Sequence, residues 1–134
     1  MDSIIIEWND NFNTNVVKID EQHQILIELY NKFIFAYLQD KELEILYEVF
    51  SELLNYTKFH FNEEEGIMTS INYPDIESHK ILHKDLLSSV NTLFEEFKLG
   101  NTKISVEVVN FLRDWLMNHI AIEDKRIGVF ANSN

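Results

Sequence analysis

The residues of this chain with the clearest chemical potential are its five histidines and two nearby acidic residues. The histidines are His23, His60, His79, His83 and His119. Glu64 follows one of them by four residues, and Asp124 follows another by five. The chain contains no cysteine, so imidazole and carboxylate are the only strong metal ligands that it offers. The pattern therefore predicts a metal site built from histidine and carboxylate.

Helical spacing selects Glu64 from a run of three acidic residues. His60 and Glu64 are four positions apart, which puts both side chains on one face of a helix. Glu63 and Glu65 lie about 100° to either side of that face and should point elsewhere. We therefore expect Glu64 to join His60 at the site, whereas a solvated acidic face would be the ordinary alternative.

The spacing of Asp124 is less simple. It follows His119 by five residues, which is about 140° away from the direction of His119 on a regular helix. Periodicity alone favours Glu123. Asp124 can reach the same centre only if the helix widens into a π-turn or ends there, and π-bulges are frequent at functional sites.

The spacing of apolar residues predicts four helices that would carry these side chains. Asp20 is the predicted N-cap of the first, which runs to a break at 40–41 before the second begins. The third has Pro74 in its first turn and ends at Gly100, and the fourth covers about 104–121. Strand-like alternation is absent, so we predict an all-α, up-down-up-down antiparallel four-helix bundle.

The direction of the helices makes the histidine positions meaningful. One end of such a bundle joins the start of the first and third helices to the end of the second and fourth. The five histidines lie at those places, on the predicted inner faces. Packed without a metal, they would repel when protonated and leave nitrogens unpaired when neutral. A single inward histidine is usually an ordinary core residue, but the joint pattern favours a metal site.

Length and charge limit the other possibilities. We expect one domain over 1–134, with an extended arm at 1–18, a bundle at about 20–124 and a short C-terminal tail. The net charge of −12 and the lack of a basic cluster argue against nucleic-acid or anionic-membrane partners. The N-terminus does not read as a signal peptide or membrane span, so a cytoplasmic location is expected. A monomer is expected, with an oligomer as the alternative.

Four segments of the chain together resemble the hemerythrin family, specifically its single-domain bacterial members. The segments are 19–23 (IDEQH), 60–64 (HFNEE), 79–83 (HKILH) and 119–124 (HIAIED). Their order and spacing follow the family through nearly the whole chain. The resemblance implies two iron ions, Fe2+ or Fe3+, bridged by an oxo or hydroxo group and by Glu64 and Asp124. It is also the reason to choose Asp124 over Glu123.

The same resemblance assigns the histidines. His79, His83 and His119 would complete one six-coordinate iron. His23 and His60 would hold the other, which keeps an open position where dioxygen binds reversibly. Imidazole and carboxylate suit iron, and seven protein ligands exceed what tetrahedral zinc needs, so the chemistry of the residues agrees.

Four further residues have roles that the resemblance suggests, each with a simpler alternative. Leu116 matches the position that lines the oxygen pocket, and Trp8 matches a tryptophan of the arm that folds back across the bundle. Trp115 is expected to pack near the irons. For these three, ordinary core packing is the alternative. Asp20 would orient His23 through a hydrogen bond, or would act as an N-cap alone.

Gly66 departs from the family pattern, in which a larger helix-forming residue is common. Glycine costs about 1 kcal/mol relative to alanine inside a helix. The departure predicts that the second helix ends or frays just beyond Glu64.

The function expected from this pattern is reversible binding of dioxygen for storage, transport and delivery, or scavenging. A di-iron peroxidase or oxygenase is one alternative, and an oxygen sensor that acts through a separate partner is another. Di-iron enzymes usually have sites richer in carboxylate, so five histidines against two carboxylates favour carrying over activation. We expect no catalysis beyond weak peroxidase-type activity.

Overall fold

The computed structural model describes residues 5–39, 41–99 and 106–133, and within these ranges it contains helices and turns without a β-strand. A 3-10 turn at Asp10–Phe12 precedes the helices. The long helices are α1 (Val17–Leu38), α2 (Leu43–Ser70), α3 (Ile76–Lys98) and α4 (Val106–Asn118). α4 continues through a π-helical segment (His119–Glu123) into α5 (Asp124–Asn132), so these three form one rod. The predicted all-α, up-down-up-down antiparallel four-helix bundle is confirmed.

The inner faces predicted from apolar spacing are the faces that the bundle buries. On α1, Leu26 and Phe33 are buried, and on α2 the stripe of Leu46, Phe50 and Leu53 is buried as well. The rings of Phe33 and Phe50 meet edge to face with centroids 5.2 Å apart. Burial of this stripe, more than intrinsic propensity, stabilises helices of this kind.

The start of α1 differs from the prediction. Val16 is the N-cap and Val17 the first helical residue, so Asp20 lies inside the first turn. Its carboxylate accepts hydrogen bonds from the backbone N–H and hydroxyl of Thr14, both at 2.8 Å, and from the N–H of Asn15 at 3.2 Å. The N-cap assignment is therefore wrong. Asp20 anchors the preceding loop and remains close to the positive end of the helix dipole.

The N-terminal arm packs back onto the bundle, as expected from the position of Trp8. The Asn31 side chain accepts a hydrogen bond from the N–H of Ile6 at 3.0 Å and donates one to its carbonyl at 2.7 Å. Trp8 packs on the main hydrophobic core, with its ring 5.5 Å from that of Phe12. Hydrogen bonds and apolar contacts therefore hold the arm against the bundle.

The C-terminal end also differs from the prediction. The predicted short tail after residue 124 is instead α5, which reaches Asn132. Ile127 and Gly128 are buried, so this segment has a surface to pack against and the helix continues. A Cβ atom at Gly128 would lie 1.9 Å from the carbonyl oxygen of Thr14, which shows how closely the arm approaches α5.

The two ends of α3 show where local signals misplace a boundary. Pro74 lies in the turn before the helix instead of in its first turn, because Asp75 is the N-cap and Ile76 the first residue. The predicted stop at Gly100 and the predicted fourth-helix start near 104 lie outside the described residues. Within the part of the chain that is described, no helix is long and apolar enough to cross a membrane.

α2 passes Gly66 without interruption. The helix continues to Ser70, so the predicted end or fraying beyond Glu64 is wrong. Met68, one turn after Glu64, is fully buried against Ile19, Tyr73 and Ile127, and this packing extends the helix past the glycine. Gly66 itself is exposed, and a Cβ there would meet nothing within 4 Å.

Gly66→Ala should therefore stabilise the protein. We expect the free energy of unfolding to rise by about 0.5–1 kcal/mol, because alanine loses less backbone entropy in a helix and meets no neighbour here. Denaturant unfolding of the metal-loaded protein would measure the change. Gly128→Ala is the contrasting variant and should destabilise. An unchanged or lower stability for Gly66→Ala would contradict the prediction.

Candidate metal centre

The side chains predicted as metal ligands meet inside one end of the bundle. α1 contributes one, α2 and α3 two each, and the rod of α4, the π segment and α5 the last two. All seven are buried: His23, His60, Glu64, His79, His83, His119 and Asp124. The exposed fraction is 0% for both carboxylates and 5% at most for the imidazoles. The topology thus brings together residues that are up to 101 positions apart in the chain.

The donor atoms form two overlapping groups. One contains His79, His83 and His119 with both carboxylates, and the other contains the remaining two histidines with the same carboxylates. Within each group the donor atoms lie within 4.8 Å of one another. Glu64 and Asp124 belong to both groups. The arrangement therefore suits two cations that share two carboxylate ligands.

Each shared carboxylate directs one oxygen to each group. Glu64 Oε1 lies 3.0 Å from His79 Nε2, and its Oε2 lies 3.2 Å from His60 Nε2. Asp124 Oδ1 lies 3.0 Å from His79 Nε2, and its Oδ2 lies 2.7 Å from His23 Nε2. This placement of the two oxygens of each residue is what a carboxylate bridge between two metal ions requires.

The π-helical segment explains how His119 and Asp124 can both reach the centre although they are five residues apart. The backbone N–H of Asp124 bonds the carbonyl of His119, an i to i−5 bond that widens the turn. Both side chains are then buried, and of the two possibilities that the sequence left for Asp124, a π-turn or a helix end, the π-turn is present. Glu123 turns out of the centre and pairs with Arg126 at 3.4 Å, so the preference of simple periodicity for Glu123 does not hold.

Buried polar atoms without a hydrogen-bond partner among the described residues are concentrated here. Four of them belong to side chains of the two groups of donors: His60 Nε2, Glu64 Oε2, His119 Nε2 and Asp124 Oδ1. An unpaired buried polar atom is costly, and native proteins rarely keep several together. Metal ions would engage these same atoms. The donor set, five imidazoles and two carboxylates, fits iron.

Two residues that the sequence reasoning missed form hydrogen bonds to imidazoles of the predicted ligands, through the ring nitrogen that does not face the centre. His60 Nδ1 donates to Gln22 Oε1 at 2.7 Å, and His83 Nδ1 donates to Glu65 Oε2 at 2.9 Å. Such bonds fix the orientation of an imidazole and leave Nε2 for the metal. The prediction that Glu65 points away from the site was therefore incomplete: it points out of the centre but toward α3. Periodicity has no signal for Gln22, whose partner lies on another helix.

Aromatic rings surround the imidazoles. Phe61 stacks on His83 with centroids 3.8 Å apart and planes 3° apart. Trp115 lies parallel to His119 at 6.4 Å, so it packs beside the centre as expected. Leu116 is 1% exposed and belongs to the main core. These contacts restrict the rings and keep water away from the centre.

Trp8 and Asp20, two of the further residues to which the resemblance gave roles, have no contact with the imidazoles among those that the structure describes. Trp8 has Phe12 as its ring partner among the described residues. The carboxylate of Asp20 is engaged by Thr14 and Asn15, while His23 Nδ1 has no hydrogen-bond partner in the described chain. Asp20 therefore acts on the arm, and the predicted hydrogen bond from the His23 imidazole to Asp20 is not formed.

The charges of the centre offset one another strongly when no metal is bound. Burial lowers the pKa of His23, but hydrogen bonds to Asp124 and Glu64 outweigh it and raise the pKa to about 9. The pKa of His79 is raised to about 9 by the same balance. Burial alone would raise the pKa of Glu64 and Asp124, yet the surrounding imidazoles hold both well below the usual range. Protonated His23 and His79 would thus balance the two buried carboxylates when no metal is bound.

Fold and site together define a class: an antiparallel four-helix bundle whose core carries a histidine-rich donor set for two cations. The sequence profile of the "Hemerythrin HHE cation binding domain" matches residues 14–130. The chain belongs to the hemerythrin family.

Relatives of this chain include proteins from bacteria and from an animal. It is 32% identical over 117 residues to the bacteriohemerythrin of Methylococcus capsulatus (strain Bath), covering 87% of this chain and 88% of that protein. It is 34% identical over 117 residues to the bacteriohemerythrin of Pseudomonas aeruginosa (strain LESB58), covering 87% and 75%. A hemerythrin from Sipunculus nudus is 32% identical over 120 residues, covering 87% and 86%. The similarity thus spans most of each protein.

Solved structures show the same fold. The crystal structure of wild-type hemerythrin superposes with a TM-score of 0.86 at 30% identity, covering 92% of this chain and 95% of that one. A hemerythrin with one leucine replaced by alanine gives 0.87 at 28% identity, covering 94% and 96%.

The metal-free protein should lose stability as the pH rises from about 6.5 to about 9. The folded-state pKa of His23 and of His79 lies above the unfolded value of 6.5, so the protonated imidazoles stabilise the fold fully below 6.5 and not above 9. Thermal unfolding of chelator-treated protein across this range would measure the loss.

The iron-loaded protein is the control for this trend. Its Nε2 atoms hold metal instead of protons, so its stability should instead fall when the pH drops and protons compete for the imidazoles. A metal-free protein that gained stability between pH 6.5 and 9 would contradict the assignment of these raised pKa values.

Proposed function

We propose that this chain binds dioxygen reversibly at a non-haem di-iron centre, for storage, delivery or scavenging, and releases it unchanged. The observation that carries the proposal is the uneven division of the imidazoles around two shared carboxylates. One group of donors has three histidines and the other has two. Because the carboxylates serve both groups equally, the two-histidine side has one ligand fewer and keeps room for an external ligand.

The chain's own residues provide the coordination and the charge balance. His79, His83 and His119 would hold one iron, while His23 and His60 would hold the other. The two shared carboxylates offset two of the four positive charges on a diferrous pair. Two ferrous ions held there would supply the two electrons that reversible binding of dioxygen needs. The two-histidine group lies deepest, since both of its imidazoles are 0% exposed.

The apolar surroundings of the centre support reversible binding of dioxygen, because they keep water away from the bound ligand. Ile19, Met68 and Ile127 are all 0% exposed and follow or precede a ligand by about one helical turn, which closes the end of the bundle. On the other side the main core begins with residues such as Leu26 and Leu116. The centre therefore lies between two apolar layers that disfavour the entry of water.

The composition of the centre favours a carrier over an enzyme. Ferritin-like di-iron proteins use four glutamates with two histidines, whereas this centre has five imidazoles and two carboxylates. The similar proteins are named hemerythrin or bacteriohemerythrin, which supports the same function. We also propose that the chain is a monomer, because a net charge of −12 makes copies of the chain repel one another. The cytoplasmic location expected from the sequence remains part of the proposal.

A metal analysis and an oxygenation cycle test this function. Purified protein should contain two irons per chain, and the reduced protein should develop visible charge-transfer absorption in air that disappears on deoxygenation. Repeated cycles with full recovery would support reversible binding. Irreversible oxidation coupled to turnover of an added substrate would favour the enzyme alternative, and one iron or none per chain would contradict the proposal.

Leu116→Ala tests the predicted apolar wall of the oxygen pocket. Loss of this side chain should admit water, so the oxygenated protein should decay to a form that no longer binds dioxygen at least several-fold faster. The lifetime of the visible absorption measures this decay. Truncation should also cost about 2–5 kcal/mol of stability, as for other buried leucines.

Leu112→Ala is the matched control. Leu112 is also 1% exposed, lies one turn before Leu116 in the same core, and is one turn farther from His119. Its truncation should cost similar stability and leave the lifetime of the oxygenated form nearly unchanged. Equal shortening in both variants would mean that Leu116 serves the core alone.

A further inference from the structure

Two cavities reach ligands of the centre from outside. One of about 300 Å³ ends at His79, and another of about 390 Å³ ends at His119. His79 is the most exposed of the seven predicted ligands, at 5%, whereas His23, His60 and both carboxylates have no exposed surface. Among the described residues, these two cavities therefore bring solvent to imidazoles of the predicted ligands.

The cavity at His79, which we call the His79 cavity, has the walls that a cation would need. Asp75, Ser78, Glu123 and Arg126 line it together with His79. It therefore offers two carboxylates and a hydroxyl on the approach to the imidazole. The cavity at His119 is lined by four apolar side chains and by Asp114 and Asn118. Glu123 lines both cavities, whereas Asp75, Ser78 and Arg126 line the His79 cavity and not the one at His119. The two routes thus differ in polarity although both lead to the same group of ligands.

His79 contacts the carboxylates of the centre and also lines the cavity. Its Nε2 lies 3.0 Å from an oxygen of Glu64 and 3.0 Å from an oxygen of Asp124. Unlike the Nδ1 atoms of His60 and His83, its Nδ1 has no side chain of the described residues as a hydrogen-bond partner. His79 is only 5% exposed and lines the polar cavity. Because no side chain holds its Nδ1, we take His79 as the connection between the cavity and the centre.

We propose that the His79 cavity is the port through which ferrous ions enter and leave the centre. Asp75 and Glu123 attract the hydrated cation, and His79 is the first ligand that it meets before the shared carboxylates. The inference rests on the proposed di-iron centre but not on its oxygen chemistry. It also accounts for the outward position of Glu123, which the π segment turns away from the centre and into the cavity wall.

Arg126 gives the port an opposing charge. Its Nη1 lies 3.4 Å from Glu123 Oε1, and its side chain is 65% exposed, so solvent competes for this pair and it opens readily. The cation of Arg126 partly cancels the attraction of Glu123 for iron. Removal of either charge should therefore change the rate of iron passage, in opposite directions.

The first test measures iron release from the intact, reduced, iron-loaded protein to an excess of a ferrous chelator without oxygen. Glu123→Gln should slow release by about threefold to tenfold at low ionic strength, with less effect at high salt. Asp75→Asn should slow it in the same direction, and Arg126→Gln should accelerate it. Iron content at equilibrium should stay at the wild-type value, because none of these residues is a proposed ligand.

Asp114→Asn provides the matched control. Asp114 lines the other cavity and pairs with Arg113 at 2.9 Å, much as Glu123 pairs with Arg126, so the substitution removes the same charge beside the alternative route. It should leave the release rate unchanged. Because Glu123 lines both cavities, the comparison that separates the routes is Asp75→Asn against Asp114→Asn. If Asp114→Asn slows release as much as Asp75→Asn, or if Asp75→Asn has no effect, the port is not the His79 cavity.

The second test separates passage from affinity. Entry and exit share one path, so Glu123→Gln should slow ferrous uptake by the metal-free full chain by the same factor as release. Slower uptake with faster release would mean that Glu123 acts on affinity alone, and would overturn the proposal. Failure of the wild-type chain to hold two irons would instead refute the di-iron centre itself, whereas normal loading with unaffected rates would refute only the port.

Discussion

The structure depends on two carboxylates that are removed completely from water in the company of five imidazoles. A buried charge is tolerated only when it is paired and hydrogen-bonded. Glu64 and Asp124 meet this condition in part through the Nε2 atoms around them, but one oxygen of each has no hydrogen-bond partner among the described residues. Metal ions held between the two groups of donors would complete it. Each helix must therefore present its donors at one depth, and the bundle must close around them.

Closure is achieved by apolar layers on both sides of the charged centre. Ile19, Met68 and Ile127 each lie about one turn from a ligand on the same helix, and together they form a small second core at the end of the bundle. The larger core fills the remaining length. α1, α2 and the rod that ends in α5 each carry both a predicted ligand and a residue of this second core. Separation of these helices would therefore expose buried charge and apolar surface together.

The π segment assigns different positions to two consecutive acidic residues. One extra residue in the turn brings Asp124 to the centre, while Glu123 faces outward beside His79. On a regular helix these positions would be exchanged. A local widening of the backbone thus determines which carboxylate is buried among imidazoles and which remains accessible to solvent.

The sequence by itself determined the four helices, their inner faces and the end of the bundle where the histidines meet. These features follow from a 3.6-residue period and from alternating helix direction, which are properties of each helix and of their order. The sequence also showed that Asp124 could reach the centre only through a π-turn or a helix end, although only the family resemblance chose it over Glu123.

Only the tertiary structure decided which atoms meet across helices. The bonds of Gln22 to His60 and of Glu65 to His83 depend on how α1, α2 and α3 pack, and no single-helix period contains that information. The same holds for Asp20, which bonds the arm, and for α5, which continues because the arm and the second core cover it. Helix ends and outer contacts are set by neighbours that are distant in the chain.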